Sequence, residues 1–127
     1  MRINLSCSRV THAIDDCDEV IRLLTQLHSE FSEAPELVDM AAPNGAVLTI
    51  GLGAGLSVLS LTPDPKHPPY LVSKGDPNAA GYLWFDYGGS DTELPLSQAV
   101  PLASALLAAR QFCETGGQPT AVAWETV

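Results

Sequence analysis

Apolar residues recur every three or four positions in two stretches of this chain and every second position in several others, and these two periods lay out its elements. Val20, Leu23, Leu24, Leu27 and Phe31 form the first helical stripe, predicting a helix over 16–31. Asp16 with Glu19 three residues later gives it a capping-box-like start, and Asp15, Asp16, Asp18 and Glu19 put negative charge at the positive end of the helix dipole. The second stripe, Leu102, Ala105, Leu106, Ala109, Phe112 and Cys113, predicts a helix over 101–115. Pro101 suits a first turn, where its missing N–H has no intrahelical partner. Gly116 can close the C-terminus in a left-handed conformation, and Pro119 forbids continuation.

Alternation predicts strands over 2–11, 47–50, 56–61, 70–73, 81–87 and 120–124. The spacing Gly51-x-Gly53-x-Gly55 resembles half of a phosphate-cradling loop. It lacks the further glycine and the following helix, so it reads as a hairpin turn. Residues 32–45, with Pro35, Pro43, Asn44 and Gly45, read as an irregular connection with a helical turn around Leu37; Thr62 to Pro69 reads as a stiff polar loop. In the aromatic strand, Tyr82 and Trp84 fall on one face and Leu83, Phe85 and Tyr87 on the other. Gly88 to Asp91 turns it, and Thr92-Glu93-Leu94 pairs briefly before Pro95. The order β-α-β-β-β-β-α-β predicts an α+β fold in one domain, 1–127: a mostly antiparallel meander sheet with both helices on one face. The uncovered sheet face would offer a partner a patch, with the aromatic strand its centre.

Composition narrows the function. The chain is 46% apolar, which fits a globular core, and no apolar run approaches the roughly 20 residues of a membrane span. Met1-Arg2-Ile3-Asn4-Leu5-Ser6 lacks the apolar segment of a signal peptide, so a cytoplasmic location is expected. Cys7, Cys17 and Cys113 are odd in number and scattered, which predicts three free thiols. Cys7, His12 and Cys17 match no paired zinc spacing, and the isolated His28 and His67 read as satisfied or solvated imidazoles. A formal net charge of −9 disfavours direct binding to nucleic-acid backbones and favours a cationic partner. Acidity also serves solubility alone, which is its ordinary role.

No nucleophile-base pair, carboxylate pair or metal set has diagnostic spacing, so neither catalysis nor a cofactor is expected. Cys113 lies on an apolar stripe and reads as core. Asp86 and Asp91 flank a glycine turn but lack the remaining ligands of a calcium loop.

The run Ala108-Ala109-Arg110-Gln111-Phe112, then Glu114-Thr115-Gly116-Gly117-Gln118-Pro119-Thr120, closing on Val122 and Trp124, resembles the C-terminal signature of a family of bacterial immunity proteins from polymorphic-toxin systems. The likeness extends more weakly through Gly81-Tyr82-Leu83-Trp84-Phe85 and Gly88-Gly89, covering roughly 69–125, while the first 65 residues match only in layout. The family is typically encoded beside toxins with a nucleic-acid deaminase domain. The resemblance therefore implies a cytosolic protein that binds and neutralises such a toxin. An acidic, rigid plug would suit the cationic groove that a deaminase presents to its substrate. Contact candidates are Asp64, Asp76, Asp86, Tyr87, Asp91 and Glu93, acids at or near loop tips with one aromatic anchor; the ordinary role of each is a solvated loop residue. An acidic interaction module without inhibitory role, and a small-molecule-binding α+β domain, are the alternatives that composition leaves open.

Overall fold

The computed structural model describes residues 2–8, 11–63 and 70–127. Its α+β architecture matches the expectation of two helices against one face of a mostly antiparallel sheet. The main sheet comprises β1 (Ile3–Ser6), β2 (Thr11–Ile14), β3 (Glu36–Ala41), β4 (Val47–Leu52), β6 (Leu59–Thr62), β7 (Leu71–Lys74) and β11 (Ala123–Thr126). They lie side by side in the order β11-β7-β6-β4-β3-β1-β2, each antiparallel to its neighbours. Alternation sends Ile3, Leu5, Val38, Met40, Leu48, Ile50, Leu59 and Leu61 to the helical side, where they bury against α1 (Cys17–Glu30) and α2 (Leu102–Thr115).

The helix ends follow the chemistry read from the sequence. Asp16 caps α1, its side chain accepting the N–H of Asp18 at 3.0 Å, the capping bond seen here in place of the reciprocal box with Glu19. Pro101 occupies the N-cap of α2, and Gly116, at φ 69°, closes it by donating to the Phe112 carbonyl at 2.7 Å.

Four expectations are corrected. Residues 32–45 contain β3, a central strand: Pro35 and Pro43-Asn44-Gly45 bound it, and the polar Glu36 and Asp39 masked its alternation. The strand predicted over 2–11 is divided into β1 and β2, a hairpin. The strand predicted over 56–61 breaks at Val58, where β5 (Leu56–Ser57) leaves to pair with β10 (Val100–Pro101). The aromatic strand β8 (Tyr82–Tyr87) does not continue the meander, because β11 takes the place beside β7. Instead β8 pairs along its length with β9 (Ser90–Pro95) and meets β3 at one parallel bridge, Glu36 opposite Asp86.

The expectation of three free thiols is also wrong. Cys17, opening α1, is disulfide-bonded to Cys113 in the last turn of α2, with Cα atoms 5.8 Å apart, and Cys7 alone is free. Counting cysteines cannot show that two apolar stripes packed on one sheet bring opposite helix ends together. Beside the bond, Arg110 pairs with Asp18 at 2.7 Å. Because the two cysteines lie 96 residues apart, opening the bond, by reductant or by Cys113→Ser, should cost about 4 kcal/mol. Urea unfolding should show a lower midpoint but a cooperative transition, since the helix–sheet core does not depend on the crosslink.

Candidate functional site

The sheet face away from the helices carries Asn4, Ser6, Asp39, Thr49 and Ser60, and one end of it is roofed by the β8–β9 hairpin. What lets the hairpin down onto the sheet is Gly51 in β4: a Cβ there would lie 2.6 Å from Cζ of Phe85. Phe85 is buried in that space and, with Leu37 and Val58, forms a second, small core against which Leu83 and Leu94 pack. The hairpin turns through Gly88 and Gly89, both at positive φ (60° and 90°), the two-residue geometry whose twist suits paired strands.

Because β8 buries Phe85 and packs the half-buried Leu83 toward the sheet, it turns Tyr82, Trp84 and Asp86 outward. Tyr82 is 58% exposed and Trp84 57%. The register sets Glu93 opposite Trp84 and Asp91 opposite Asp86, so three of the predicted contact residues share this outer face with two exposed aromatics. All three sit in the strands, Asp86 and Asp91 one step from the Gly88-Gly89 tip and Glu93 farther along β9. Asp86 also donates its backbone N–H to Pro35 O at 2.8 Å, tying the hairpin to the start of β3.

The other predicted contacts go elsewhere. Tyr87 lies on the sheet-facing side of β8 yet stays 46% exposed; its hydroxyl donates to Asp39 Oδ2 at 2.8 Å, while Thr49 Oγ1 donates to Asp39 Oδ1 at 2.6 Å. Asp76 is exposed in the turn after β7, accepting the Asn78 N–H at 2.9 Å. Asp64 lies outside the described residues. Tyr82 and Trp84 were legible as an aromatic strand, though not among the predicted contacts. Asp39, which sequence reading missed, had one signal: a carboxylate interrupting the apolar run of β3.

Among the described residues, no group of three His, Cys, Asp or Glu side chains is arranged to hold a metal ion. His28 is satisfied, its Nδ1 accepting the Gly53 N–H at 2.9 Å, and His12 is exposed on β2.

Partial burial, and then the hydrogen bond to the Asp39 carboxylate, push the Tyr87 phenol up to about 12 from its ordinary 10.0. The folded state therefore holds this proton more tightly than the unfolded chain. The stability it contributes is complete below pH 10.0 and is lost as pH rises toward about 12. Ultraviolet titration should show one tyrosine ionising well above the ordinary phenol value of 10.0, and Asp39→Asn should bring it partway down, leaving the part due to burial. Gly51→Ala should force Phe85 off the sheet at a cost of about 1–3 kcal/mol by thermal unfolding, and should also lower the Tyr87 titration as the hairpin loosens.

The C-terminal block that carries the sequence likeness is a structural clamp. Gln111 Oε1 accepts the backbone N–H groups of Thr120 and Ala121, each at 2.9 Å, and its Nε2 donates to Thr120 Oγ1 at 3.0 Å. Trp124 Nε1 donates to Pro119 O at 2.8 Å, and Asn44 Nδ2 donates to Gly116 O at 2.9 Å. These bonds fold the chain back from α2 so that β11 can reach the edge of β7.

No helix among the described residues is long and apolar enough to cross a membrane. No curated protein matches the chain. The family model described as Immunity protein Imm1 matches residues 6–126, which extends the likeness through the N-terminal half, where the sequence showed only a common layout. With both helices, the clamp and every strand after β1 inside that span, the chain belongs to the Imm1 family of immunity proteins, whose business is with a cognate toxin.

Proposed function

We propose that this immunity protein neutralises a co-encoded toxin with a nucleic-acid deaminase domain by laying the outer face of its β8–β9 hairpin into the toxin's substrate groove. One observation carries the reading: Tyr82 and Trp84 stand more than half exposed beside Asp86, Asp91 and Glu93 on a single face. Asp86 directly opposite Asp91 is a like-charge cross-strand pair, which costs a free hairpin stability. A cationic partner removes that cost. Deaminases grip single strands or flipped bases through basic channels and stacking surfaces, so aromatics framed by carboxylates mimic what such a channel binds. The deaminase class itself rests on the likeness of the C-terminal block.

The reading places the protein in the cytosol, where such a toxin would meet its substrate. The Cys17–Cys113 bond weighs the other way, since disulfides persist in oxidising compartments. A core formed by two helices on a seven-stranded face carries the fold when that bond is reduced.

The test mixes the purified chain with the toxin domain encoded beside it and measures binding and deamination together. One-to-one binding with loss of activity is expected; binding without inhibition would favour a plain interaction module, and no binding would break the link. Trp84→Ala should weaken affinity roughly 30-fold or more, chiefly through faster dissociation. Asp86→Lys and Asp91→Lys should slow association, most strongly at low salt. Unchanged binding in all three would remove the hairpin from the interface.

A further inference from the structure

Behind the hairpin tip lies a cleft of about 260 Å³, open to solvent, that the outer-face reading does not use. Ser6, Ser8, Leu37, Asp39, Tyr87 and Gly88 line it, so it is bounded by the end of β1, the middle of β3 and the end of β8. Asp39 stands on the open face of a central strand and is only partly exposed. Each of its carboxylate oxygens accepts one hydroxyl, from Thr49 and from Tyr87. Those two bonds fix its plane. They leave about half of its roughly four acceptor sites unused, and neutral donors do not cancel its charge. Among the described residues, the ion pairs involve Arg2, Lys74 and Arg110, none of them with Asp39.

The walls suit one kind of cation. The Tyr87 ring offers a π face, Leu37 an apolar surface for methylenes, and the Ser6 hydroxyl an acceptor. Ser8 Oγ is held by the buried carboxyl of Glu36, which sets the wall and adds a second negative charge behind it. In a cleft walled by protein, such charges focus their field on what enters. A guanidinium uses this better than an ammonium: it is planar, weakly hydrated, stacks on aromatic rings and presents several donors in a fixed fork.

We propose that this cleft receives one arginine side chain of the cognate toxin, its guanidinium paired with Asp39 and lying against the Tyr87 ring. The proposal rests on the hairpin docking reading. The mouth opens beside the Gly88-Gly89 tip, so a toxin seated on the outer face of the hairpin reaches it without a second interface. The net charge of −9 steers such a basic surface toward it.

The experiment titrates the toxin domain encoded beside this chain with the wild type, Asp39→Asn and Asp39→Glu, and combines Asp39→Asn with arginine-to-alanine variants across the toxin surface. Asparagine keeps the shape and can hydrogen-bond both Thr49 and Tyr87, so the variant's thermal unfolding should stay close to that of the wild type. Its affinity should fall roughly 30-fold or more, mostly through faster dissociation, with Asp39→Glu intermediate. One toxin arginine should lose its effect once Asp39 is replaced, the signature of a direct pair. If the wild type does not bind, the docking reading fails and this inference with it. If the wild type binds and Asp39→Asn binds as tightly, the cleft is excluded while the docking reading stands. Weaker binding with no coupled arginine would make Asp39 a merely structural residue and overturn the proposal.

Discussion

The surface assigned to the partner depends on a missing side chain. At Gly51 a central strand presents bare backbone, and the Phe85 ring fills the space a Cβ would take. Without that contact the small core of Leu37, Val58 and Phe85 has no base, and only the Asp86–Pro35 and Tyr87–Asp39 hydrogen bonds remain to hold β8 to the sheet. Packing at one atom's resolution thus decides whether exposed aromatics form a rigid anchor or a floppy ribbon, and rigid anchors bind with less entropic cost.

Helix-side packing does a different job. It is large, continuous and apolar, and it sets the sheet on which everything else is arranged. The clamp after α2 belongs to this part. Gln111 saturates two backbone donors of the return loop, and Trp124 reaches back to Pro119. The strongest part of the family likeness therefore lies in residues that turn the chain, while its weaker part, Gly81 to Phe85 with Gly88 and Gly89, runs through the hairpin proposed for contact.

What could be read from the chain follows the same division. Both helices were legible because their stripes, the Asp16 cap and the Gly116 stop are local signals. The hairpin faces were legible too, since alternation alone separates Tyr82 and Trp84 from Leu83, Phe85 and Tyr87. Strand β3 was not: Glu36 and Asp39 break its pattern, the long-range backbone pairing with β1 and β4 makes a strand of it, and tertiary partners, Ser8 for one and Thr49 with Tyr87 for the other, satisfy those two carboxylates. The Cys17–Cys113 bond and the crossing of β8 to β3 are likewise long-range facts, fixed by which segments the sheet brings together. Of the predicted contacts, Asp86, Asp91 and Glu93 converge on one face because the β8–β9 register aligns them, a register that no single position announces.

The hairpin's attachment has a consequence for how such a protein can change. Its outward side chains touch neither the large core nor the clamp, and its inward ones meet a small core of their own. Substitutions at 82, 84, 86, 91 and 93 can therefore remodel shape and charge with little effect on whether the chain folds. Such a scaffold can follow a changing adversary by revising one exchangeable ribbon while the frame beneath it stays the same.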